Sequence, residues 1–477
     1  MKKVKSVHFV GIKGVGMTPL AIIAKEAKLK VTGSDVAEKY ITDEALGKLG
    51  IKPYENFSKE HINNVDLVIT TGAHGGYDNI EVVAAKEKGI PVLAKGEAVG
   101  AFMDGVLFGR SYEGIAVAGS HGKTTTTAMI ATILLKNHLD PSYTIGTGSV
   151  AALGALGLPG HFGKGKYFVV EADEYAIEPK YNKTAQFLAL TPKIIVITNI
   201  ELDHPDIYST LDDVRKVFLQ FAQKLPTDGI LIANGDDKQV QQLKDEFKGK
   251  IITYGFSLTN DYSLERVSIS GTQTFFWIVS HNTRIGELSI RVSGEHNALN
   301  ALAASIVGFE VGLSYEAIKK TLQLYTGAKR RFEYKGTLAT GAEVYDDYAH
   351  HPTEIQQSLA AFAKSFPRKK IVCVFQPHTY SRTKRLFDDF LDSFTSADTV
   401  ILTDIYGSQR ELPDPSISSK QMVAAMQKKH KSVLYQSTLS DVLEYLMKQR
   451  YMEDVVIITM GAGDIYTVGE SLLKESK

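Results

Sequence analysis

The sequence predicts an α/β protein with three domains. Short apolar runs alternate with stretches of helical periodicity along most of the 477 residues, which indicates parallel sheets covered by helices. The length corresponds to about three average domains. Glycine-rich loops follow two of the apolar runs, and α/β folds place phosphate sites at such junctions between strand and helix.

The composition excludes several classes of function. Lys+Arg and Asp+Glu both number 54, so the chain has no net charge to attract nucleic acid or anionic lipid. The single cysteine, Cys373, lies in an apolar run and is expected in the core; its isolation suits a reducing cytoplasm. The sequence contains neither a signal peptide nor about 18 consecutive apolar residues. We expect a cytoplasmic monomer or weak dimer without membrane insertion.

The first predicted domain, residues 1–107, is a Rossmann-like βαβ unit. The expected elements are strand 6–10, helix 18–27, strand 29–32, helix 43–49, strand 65–70, helix 80–88 and strand 91–94. The loop Gly11-Ile-Lys-Gly-Val-Gly16 joins the first strand to the first helix, and Asp35 follows the second strand, where dinucleotide-binding folds carry a ribose-binding acid. NAD, a nucleotide diphosphate or a tight strand–helix turn would each explain this loop, because its glycine order is G-x-x-G-x-G.

The second predicted domain, residues 108–325, opens with the strongest motif of the chain. Strand 114–118 leads into Gly119-Ser-His-Gly-Lys-Thr124, and helical periodicity follows. Backbone N–H groups and the helix N-terminus can surround a polyphosphate, Lys123 adds a full charge, and the Thr124 hydroxyl can reach a magnesium ion. A tight turn with an exposed lysine is the alternative, since Val117 occupies the first glycine position of the usual phosphate loop. The candidate residues are Gly119, Ser120, His121, Gly122, Lys123, Thr124 and Thr125.

Later strands of this domain end in carboxylates. Strand 166–170 precedes Glu171-Ala-Asp-Glu174, and strand 194–200 ends in Asn199-Ile-Glu-Leu-Asp-His204. Parallel strands present such residues at one edge of a sheet, beside the phosphate loop, where Glu171 and His204 are candidates to hold or orient magnesium. Any single acid could instead lie in a surface loop. The other expected elements are helix 211–225, strand 229–233, antiparallel strands 262–267, 274–280 and 283–290, and a helix after 294 on which Asn297 reaches an adenine edge or caps the helix.

The third predicted domain, residues 326–477, is a second parallel α/β sheet with strands 371–375, 399–403 and 454–460. Lys329-Arg-Arg-Phe332 forms either a solvated turn or a patch that faces phosphate. The segment Val344-Tyr-Asp-Asp-Tyr-Ala-His-His-Pro-Thr-Glu354 is too polar for a core. It is therefore a candidate functional segment.

Together the motifs resemble one family, the Mur ligases, which build the peptide stem of bacterial peptidoglycan. The resemblance spans nearly the whole chain in the family's order. It rests on Gly-Ser-His-Gly-Lys-Thr-Thr, Glu-Ala-Asp-Glu, Asn-Ile-Glu-x-Asp-His, Gly-x-His-Asn-x-x-Asn, Arg-Arg-Phe, Asp-Asp-Tyr-Ala-His-His-Pro-Thr-Glu and Gly-Ala-Gly-Asp-Ile. It implies a Rossmann-like first and third domain, a phosphate-loop ATPase-type middle domain, and a cytoplasmic ligase for cell wall synthesis that uses ATP and Mg²⁺.

The resemblance also implies roles for individual residues. Those for catalysis are Lys123, Glu171, His204, His350 and Arg382, the last two on the side of the incoming amine. Magnesium would be held by Thr124, Glu171 and His204. ATP would bind the glycine–lysine loop together with Asn297, Arg331 and Asp346. The UDP-sugar would bind Gly11, Gly14, Val15, Gly16 and Asp35. No carbamylated lysine is predicted, because Phe218 and Leu219 occupy the spacing at which relatives carry it.

The identity of the incoming amine stays open between two members of the family. Segments 8–17 and 376–383 are most similar to the members that add L-alanine to UDP-N-acetylmuramate. Glu174-Tyr175 and His204-Pro-Asp-Ile-Tyr208 resemble the members that attach the recycled tripeptide L-Ala-γ-D-Glu-meso-diaminopimelate to the same sugar. We favour L-alanine, because the third domain presents the amino acid in this family. Segments 70–79 and 146–154 depart from the family's usual sequence on the nucleotide-sugar side.

Two alternatives come from other classes of protein. An NAD-dependent dehydrogenase would explain the first glycine loop and Asp35, but not the segment 119–127. A catalytically inactive nucleotide-binding regulator is disfavoured because Lys123, Glu171 and His204 are all present.

Overall fold

Three large sheets succeed one another along the described residues, separated and covered by helices, and a two-stranded sheet accompanies the second of them. The computed structural model describes residues 4–408, 411–430 and 432–476, and the elements below lie within these ranges. The mixed α/β class predicted from the sequence is confirmed. Among the described residues, no helix is both long enough and apolar enough to cross a membrane.

The first sheet is parallel and has the strand order β2-β1-β3-β4. Both β1 and β3 are buried along their whole length, as expected for parallel strands with helices on both faces. The elements of this region are β1 (Ser6–Val10), α1 (Thr18–Glu26), β2 (Lys30–Ser34), α2 (Asp43–Lys48), β3 (Leu67–Thr70), α3 (Ile80–Glu87), β4 (Val92–Ala94) and α4 (Lys95–Met103).

The central sheet has the order β16-β15-β14-β13-β12-β11-β5-β8-β6-β7 within the described residues. Its helices are α5 (Lys123–Lys136), α6 (Leu211–Ala222), α7 (Lys238–Glu246), α8 (Glu295–Glu310) and α9 (Tyr315–Leu322). Its strands are β5 (Glu113–Ala118), β6 (Ser142–Thr144), β7 (Gly160–His161), β8 (Tyr167–Glu171), β11 (Ile194–Ile197), β12 (Ile230–Asn234), β13 (Lys250–Gly255), β14 (Tyr262–Ser270), β15 (Gln273–Ser280) and β16 (Thr283–Ile290). A separate antiparallel pair is formed by β9 (Ala176–Glu178) and β10 (Asn182–Ala185).

The predicted antiparallel strands extend this same sheet. Strand β14 begins as a parallel neighbour of β13 over two residue pairs, and β15 and β16 then continue the sheet in antiparallel fashion. In the parallel part of the same sheet, β5 lies between β8 and β11 and is parallel to both. The carboxyl ends of these three strands therefore meet at one edge.

The third sheet has the order β17-β18-β22-β19-β20-β21, parallel except for the edge strand β17. Its strands are β17 (Glu333–Thr337), β18 (Glu343–Asp347), β19 (Lys370–Phe375), β20 (Thr399–Leu402), β21 (Val433–Tyr435) and β22 (Val455–Met460). Its helices are α10 (Pro352–Ser365), α11 (Tyr380–Arg385), α12 (Phe387–Asp392), α13 (Ser419–Met426), α14 (Leu439–Lys448) and α15 (Tyr466–Glu475). Cys373 is completely buried in this core, as predicted.

The first and central sheets share a hydrophobic core. Phe102 on α4 and Phe187, in the segment after β10, are fully buried in the same cluster. Two glycines of α4 allow this approach, since a β-carbon at Gly100 would lie 2.3 Å from the carbonyl oxygen of Ala189 and one at Gly96 would lie 2.8 Å from Gln186. The first domain is thereby packed against the central domain through α4 and the segment 186–189.

Candidate active site

The glycine–lysine loop leaves β5 at the edge where three strands end together. Gly119 has φ +140° and Gly122 has φ +81°, both in the region that favours glycine. A β-carbon would lie 2.0 Å from Thr198 Oγ1 at Gly119 and 2.7 Å from Asn300 Oδ1 at Gly122. The side chain of Asn199, at the end of the neighbouring strand, accepts a hydrogen bond from the His121 backbone N–H at 2.8 Å. The neighbouring residues thus leave no room for side chains at Gly119 and Gly122, and the bare loop backbone can come close to a bound group.

Lys123 begins α5 and points back into the loop. Its Nζ lies 2.9 and 3.1 Å from the two carboxylate oxygens of Glu174 and also donates to the Gly119 carbonyl. Burial alone would lower the pKa of Lys123, but the negative charges of Glu174 and Asp173 outweigh burial and raise it. The lysine is therefore a fixed cation beside the loop.

Glu171 and Thr124, both of which were predicted to hold magnesium, lie side by side. Thr124 Oγ1 donates to Glu171 Oε2 at 3.3 Å, and the Gly146 N–H donates to Glu171 Oε1 at 2.6 Å. Burial raises the pKa of Glu171, partly offset by that backbone hydrogen bond and by the charges of Arg331 and Lys123. Arg331 reaches the same point from the third domain, with Nη2 3.5 Å from Thr124 Oγ1.

His204 lies beside Glu174 and Asp203. Glu174 belongs to the same motif as Glu171, and Asp203 precedes His204 in the chain. His204 Nε2 is 3.8 Å from Glu174 Oε1 and 3.7 Å from Asp203 Oδ2. The backbone of His204 is left-handed, with φ +57°, so the local turn sets the direction of the ring. The ring also contacts Tyr175, with centroids 4.7 Å apart.

The third domain contributes His350 and Arg382. Arg382 is buried and pairs with Asp203 of the central domain at 2.8 and 2.9 Å. His350 Nδ1 lies 3.0 Å from the Tyr348 carbonyl and 3.2 Å from Glu354. Burial lowers the pKa of His350 to about 3 against the opposing charge of Glu354, so its ring is neutral. A neutral ring that donates through Nδ1 keeps a free electron pair on Nε2.

One cleft of about 830 Å³ collects residues of all three domains. Every residue predicted to be catalytic lines it: Lys123, Glu171, His204, His350 and Arg382. So do the ATP candidates Ser120, His121, Gly122, Thr124 and Arg331 and the sugar candidates Val15 and Gly16. The cleft thus connects the first glycine loop with the glycine–lysine loop and the third domain.

A second cavity, of about 260 Å³, lies on the far side of the glycine–lysine loop between the central and third domains. Thr125, Asn297 and Arg331 line it, as do His296 and Asp347. Asn297 donates to the Ser293 carbonyl at 2.7 Å and accepts from Asn300, so its amide also fixes the start of α8.

Asp346 lies away from both cavities. It is completely buried, with Oδ2 2.9 Å from Arg330 Nε and Oδ1 2.7 Å from Thr459 Oγ1. Arg330 in turn donates to the carbonyls of Gly461 and Gly463. These contacts support a structural role for Asp346, and its neighbour Asp347 is the acid that faces the second cavity.

Three first-domain candidates form the base of their loop instead of lining the cleft. Gly11 has φ +80°, and the Gly14 N–H donates to the Gly11 carbonyl at 3.2 Å. Asp35 is buried, accepts from the Lys13 N–H at 2.7 Å and lies 3.3 Å from His74 Nε2. His74, in the unusual segment 70–79, does line the cleft. Gly119, in the second loop, also forms the turn without lining either cavity.

Several charged residues of the site were not among the candidates. Asp203 and Glu174 hold Arg382 and Lys123, and Lys95 of α4 pairs with Asp173 at 2.8 Å. All three acids stand inside motifs already noted, so motif membership could have identified them. Lys95 had no comparable signal, because it lies at a helix start that periodicity did not reveal.

The fold and the cleft are those of an α/β protein with a glycine–lysine loop of the phosphate-binding type at the meeting point of its domains. Residues 6–106 match the family described as "Mur ligase family, catalytic domain", 117–308 match "Mur ligase middle domain", and 330–463 match "Mur ligase, glutamate ligase domain". The UDP-N-acetylmuramate–L-alanine ligase of Caldanaerobacter subterraneus is 39% identical over 100% of this chain and 99% of its own length. The chain belongs to the Mur ligase family, as the motifs predicted, and is an ATP-dependent ligase.

Solved structures agree with this assignment. The crystal structure of the UDP-N-acetylmuramate–alanine ligase of Thermotoga maritima is 28% identical, with a TM-score of 0.81 over 98% of both chains. A murein peptide ligase from Psychrobacter arcticus shares the fold, with a TM-score of 0.73 at 23% identity over 99% of this chain and 98% of its own. Membership of a ligase family overturns the dehydrogenase alternative that the first glycine loop allowed.

Proposed function

We propose that this enzyme joins L-alanine to the carboxylate of UDP-N-acetylmuramate with the conversion of ATP to ADP and phosphate. The observation that carries the proposal is the single cleft in which the first glycine loop, the glycine–lysine loop and the cationic third-domain residues face one another. A nucleotide sugar on the first domain would present its carboxylate to ATP on the second. The 39% identical relative that carries this name supports the choice of substrates.

The reaction proceeds in two transfers. A carboxylate oxygen of the sugar attacks the γ-phosphorus of ATP, the bond to the β-phosphate oxygen breaks, and ADP leaves. The amine nitrogen of L-alanine then attacks the carbonyl carbon of the acyl phosphate, and the tetrahedral intermediate expels phosphate while the nitrogen loses a proton. Such chemistry depends mainly on orientation and on neutralised charge. Lys123, held as a cation by Glu174, supplies charge beside the phosphates.

The residues near the loop fit a magnesium ion. Glu171 and Thr124 offer hard oxygen donors side by side, and few protein ligands are needed when phosphates complete the shell. His204 faces the same cleft. Magnesium held there would neutralise phosphate charge during transfer. Glu171→Gln keeps the shape of the side chain but removes its charge, and should raise the magnesium concentration needed for turnover.

The amine side is formed by the third domain. Arg382 can receive the carboxylate of an amino acid, although that carboxylate must compete with Asp203. Neutral His350 offers Nε2 as a hydrogen-bond acceptor that can orient the amine. Arg331 and Asn297 line the second cavity, which is suited to the ribose and base of ATP.

A second candidate is the tripeptide ligase activity on the same sugar. Tyr175, which belongs to a segment resembling those enzymes, lines the cleft and donates to Asp206 at 2.7 Å. Its ring lies against His204, next to the proposed magnesium ligands. These side chains would border a longer amine substrate.

The decisive experiment measures phosphate release with ATP, Mg²⁺, UDP-N-acetylmuramate and one amine at a time. L-alanine is expected to support turnover, whereas the tripeptide, glycine, L-serine and D-alanine should do so weakly or not at all. Faster turnover with the tripeptide would replace the first proposal by the second. Phosphate release with no amine dependence would contradict both.

A further inference from the structure

A cluster separate from the proposed magnesium ligands joins the central and third domains. His121 belongs to the glycine–lysine loop, Glu201 follows β11, and His351 caps the start of α10. One ligand atom from each residue lies within 4.8 Å of the others. The two histidines are buried, and their rings are 4.5 Å apart between centroids.

The spacing of these atoms suits a tetrahedral metal ion. His121 Nε2 is 3.4 Å and His351 Nδ1 is 3.7 Å from Glu201 Oε2. Ligands bound at 2.0–2.2 Å around a tetrahedral centre are separated by about 3.3–3.6 Å. The three residues are therefore close enough to share an ion, with a fourth ligand from water. His351 would bind either through Nε2 or through Nδ1, and Nδ1 would first have to release the Thr353 N–H that it accepts at 3.3 Å.

Two ring nitrogens of the cluster lack hydrogen bonds. In the described residues, His121 Nε2 and His351 Nε2 are both buried without a hydrogen-bond partner. Buried polar atoms are almost always satisfied. His121 Nε2 has the Glu201 carboxylate 3.4 Å away, so His351 Nε2 is the atom that points to a missing ligand.

The surroundings resemble the outer shell of a metal site. His121 Nδ1 lies 3.3 Å from Glu354 Oε1, which fixes the ring with Nε2 toward Glu201. Thr353 Oγ1 donates to Glu201 Oε2 at 2.6 Å and orients that carboxylate. Carboxylates that hold the second nitrogen of a ligating histidine are typical of metal sites in proteins.

We propose that His121, Glu201 and His351 form a binding site for a divalent transition metal ion, with Zn²⁺ the best fit to two imidazoles and one carboxylate. Magnesium is the poorer fit, because it prefers oxygen ligands in octahedral geometry. Since His351 belongs to the third domain and the other two ligands to the central domain, the bound ion holds the two domains together.

A proton is the competing occupant of the site. Burial would lower the pKa of His121, but the charges of Glu354 and Glu201 outweigh burial and raise it to about 10. The same two carboxylates that stabilise an imidazolium would stabilise a metal ion.

The test is a titration of the full-length chain with Zn²⁺ in competition with a chromophoric chelator, without nucleotide or sugar. One ion per chain is expected, and Co²⁺ in its place should give the visible absorption of a tetrahedral centre. Glu201→Gln keeps the side-chain shape, and His351→Asn keeps a residue that caps α10. Each should weaken Zn²⁺ binding at least about 100-fold, while circular dichroism and melting temperature show that the fold is retained.

Two control variants locate the ion. His204→Gln alters the proposed magnesium region, and His161→Gln alters another histidine that lies between two carboxylates, Glu26 and Asp140. Both should bind Zn²⁺ like the native chain. Absence of a stoichiometric site in the native chain, or affinity that survives Glu201→Gln and His351→Asn, or affinity lost in either control, would overturn the proposal. Because the titration contains no substrate, its outcome is independent of the proposed reaction.

Discussion

Arg382 of the third domain and Asp203 of the central domain form a buried ion pair across the domain boundary. Arg382 Nε and Nη2 lie 2.9 and 2.8 Å from Asp203 Oδ1, and the two side chains are 5% and 7% exposed. Burial alone would raise the pKa of Asp203, but the Arg382 charge outweighs burial and holds that pKa well below its usual range. The other carboxylate oxygen lies 3.7 Å from His204. Asp203 thus connects Arg382, on the proposed amine side of the cleft, with His204, on the proposed phosphate side.

Loss of Arg382 should impair the closed arrangement of the domains more than it impairs folding. In Arg382→Ala, docking of the third domain would leave Asp203 buried without its partner, a penalty of about 3–5 kcal/mol. We expect kcat/KM in the phosphate-release assay to fall at least about 100-fold, with partial recovery in Arg382→Lys. The matched control is Lys384→Ala on the same helix, since Lys384 is exposed and pairs with Asp414. Equal activity of the two alanine variants would contradict the assignment.

Lys123 should be essential for turnover. Removal of its charge takes away stabilisation of the phosphoryl group during transfer, an effect of about 10²–10³ in kcat for comparable groups. We expect Lys123→Ala to lose at least that factor in phosphate release while its circular dichroism spectrum stays native. Lys136→Ala, in the last turn of the same helix α5, is the control and should retain native activity. Turnover of Lys123→Ala within twofold of the native enzyme would refute the proposed role.

Much of the fold could be predicted because the hydrophobic pattern is local. Strand β1 (Ser6–Val10) and strand β16 (Thr283–Ile290) have the predicted bounds, and the other predicted strands differ by one to three residues at an end. Strands β6, β7, β9, β10, β13, β17, β18 and β21 were not predicted with bounds. Helix α4 was missed, since Gly96 and Gly100 both disfavour a helix. It forms because these glycines admit the segment 186–189 against its surface, a contact that appears only in the folded chain.

The candidate site could be predicted as a set of residues but not as a set of contacts. Motifs identified the side chains that line the cleft, whereas pairings such as Arg382–Asp203 join residues far apart in sequence. The segment Lys329-Arg-Arg-Phe332 shows most clearly which contacts sequence spacing does not reveal. Arg330 is buried against Asp346, while the adjacent Arg331 faces both cavities, and spacing alone does not separate these two roles.

His161 should make stability depend on pH. Its Nδ1 lies 2.9 Å from Glu26 on α1 and its Nε2 3.1 Å from Asp140, and the hydrogen bond to Glu26 is the largest cause that raises the pKa of His161. A raised histidine pKa contributes stability that is fully present below the unfolded value of about 6.5 and is lost as the pH rises through the folded value. The pair is partly exposed, so we expect a contribution of about 0.2–1 kcal/mol.

The measurement compares melting temperatures of the native chain and His161→Gln between pH 6 and pH 9. The variant should be less stable at pH 6, and the difference should shrink as the pH rises. His138→Asn is the control, because His138 is an exposed histidine with left-handed backbone, which asparagine tolerates. A difference that is constant with pH, or that grows toward pH 9, would show that His161 does not bind its proton more tightly in the folded chain.

Gly100 should be required for packing of the first domain on the central domain. In Gly100→Ala the new methyl group would stand 2.3 Å from the Ala189 carbonyl oxygen, a backbone atom that cannot move aside as a side chain can. Such overpacking destabilises by about 1–3 kcal/mol, which should lower the midpoint of urea denaturation. Gly47→Ala in α2 is the matched control, because Gly47 has no atom within 4 Å of a new β-carbon, and replacement of a helical glycine should stabilise by about 0.4–1 kcal/mol. If Gly100→Ala stabilised the chain as Gly47→Ala does, the close approach of α4 to residue 189 would not exist in solution.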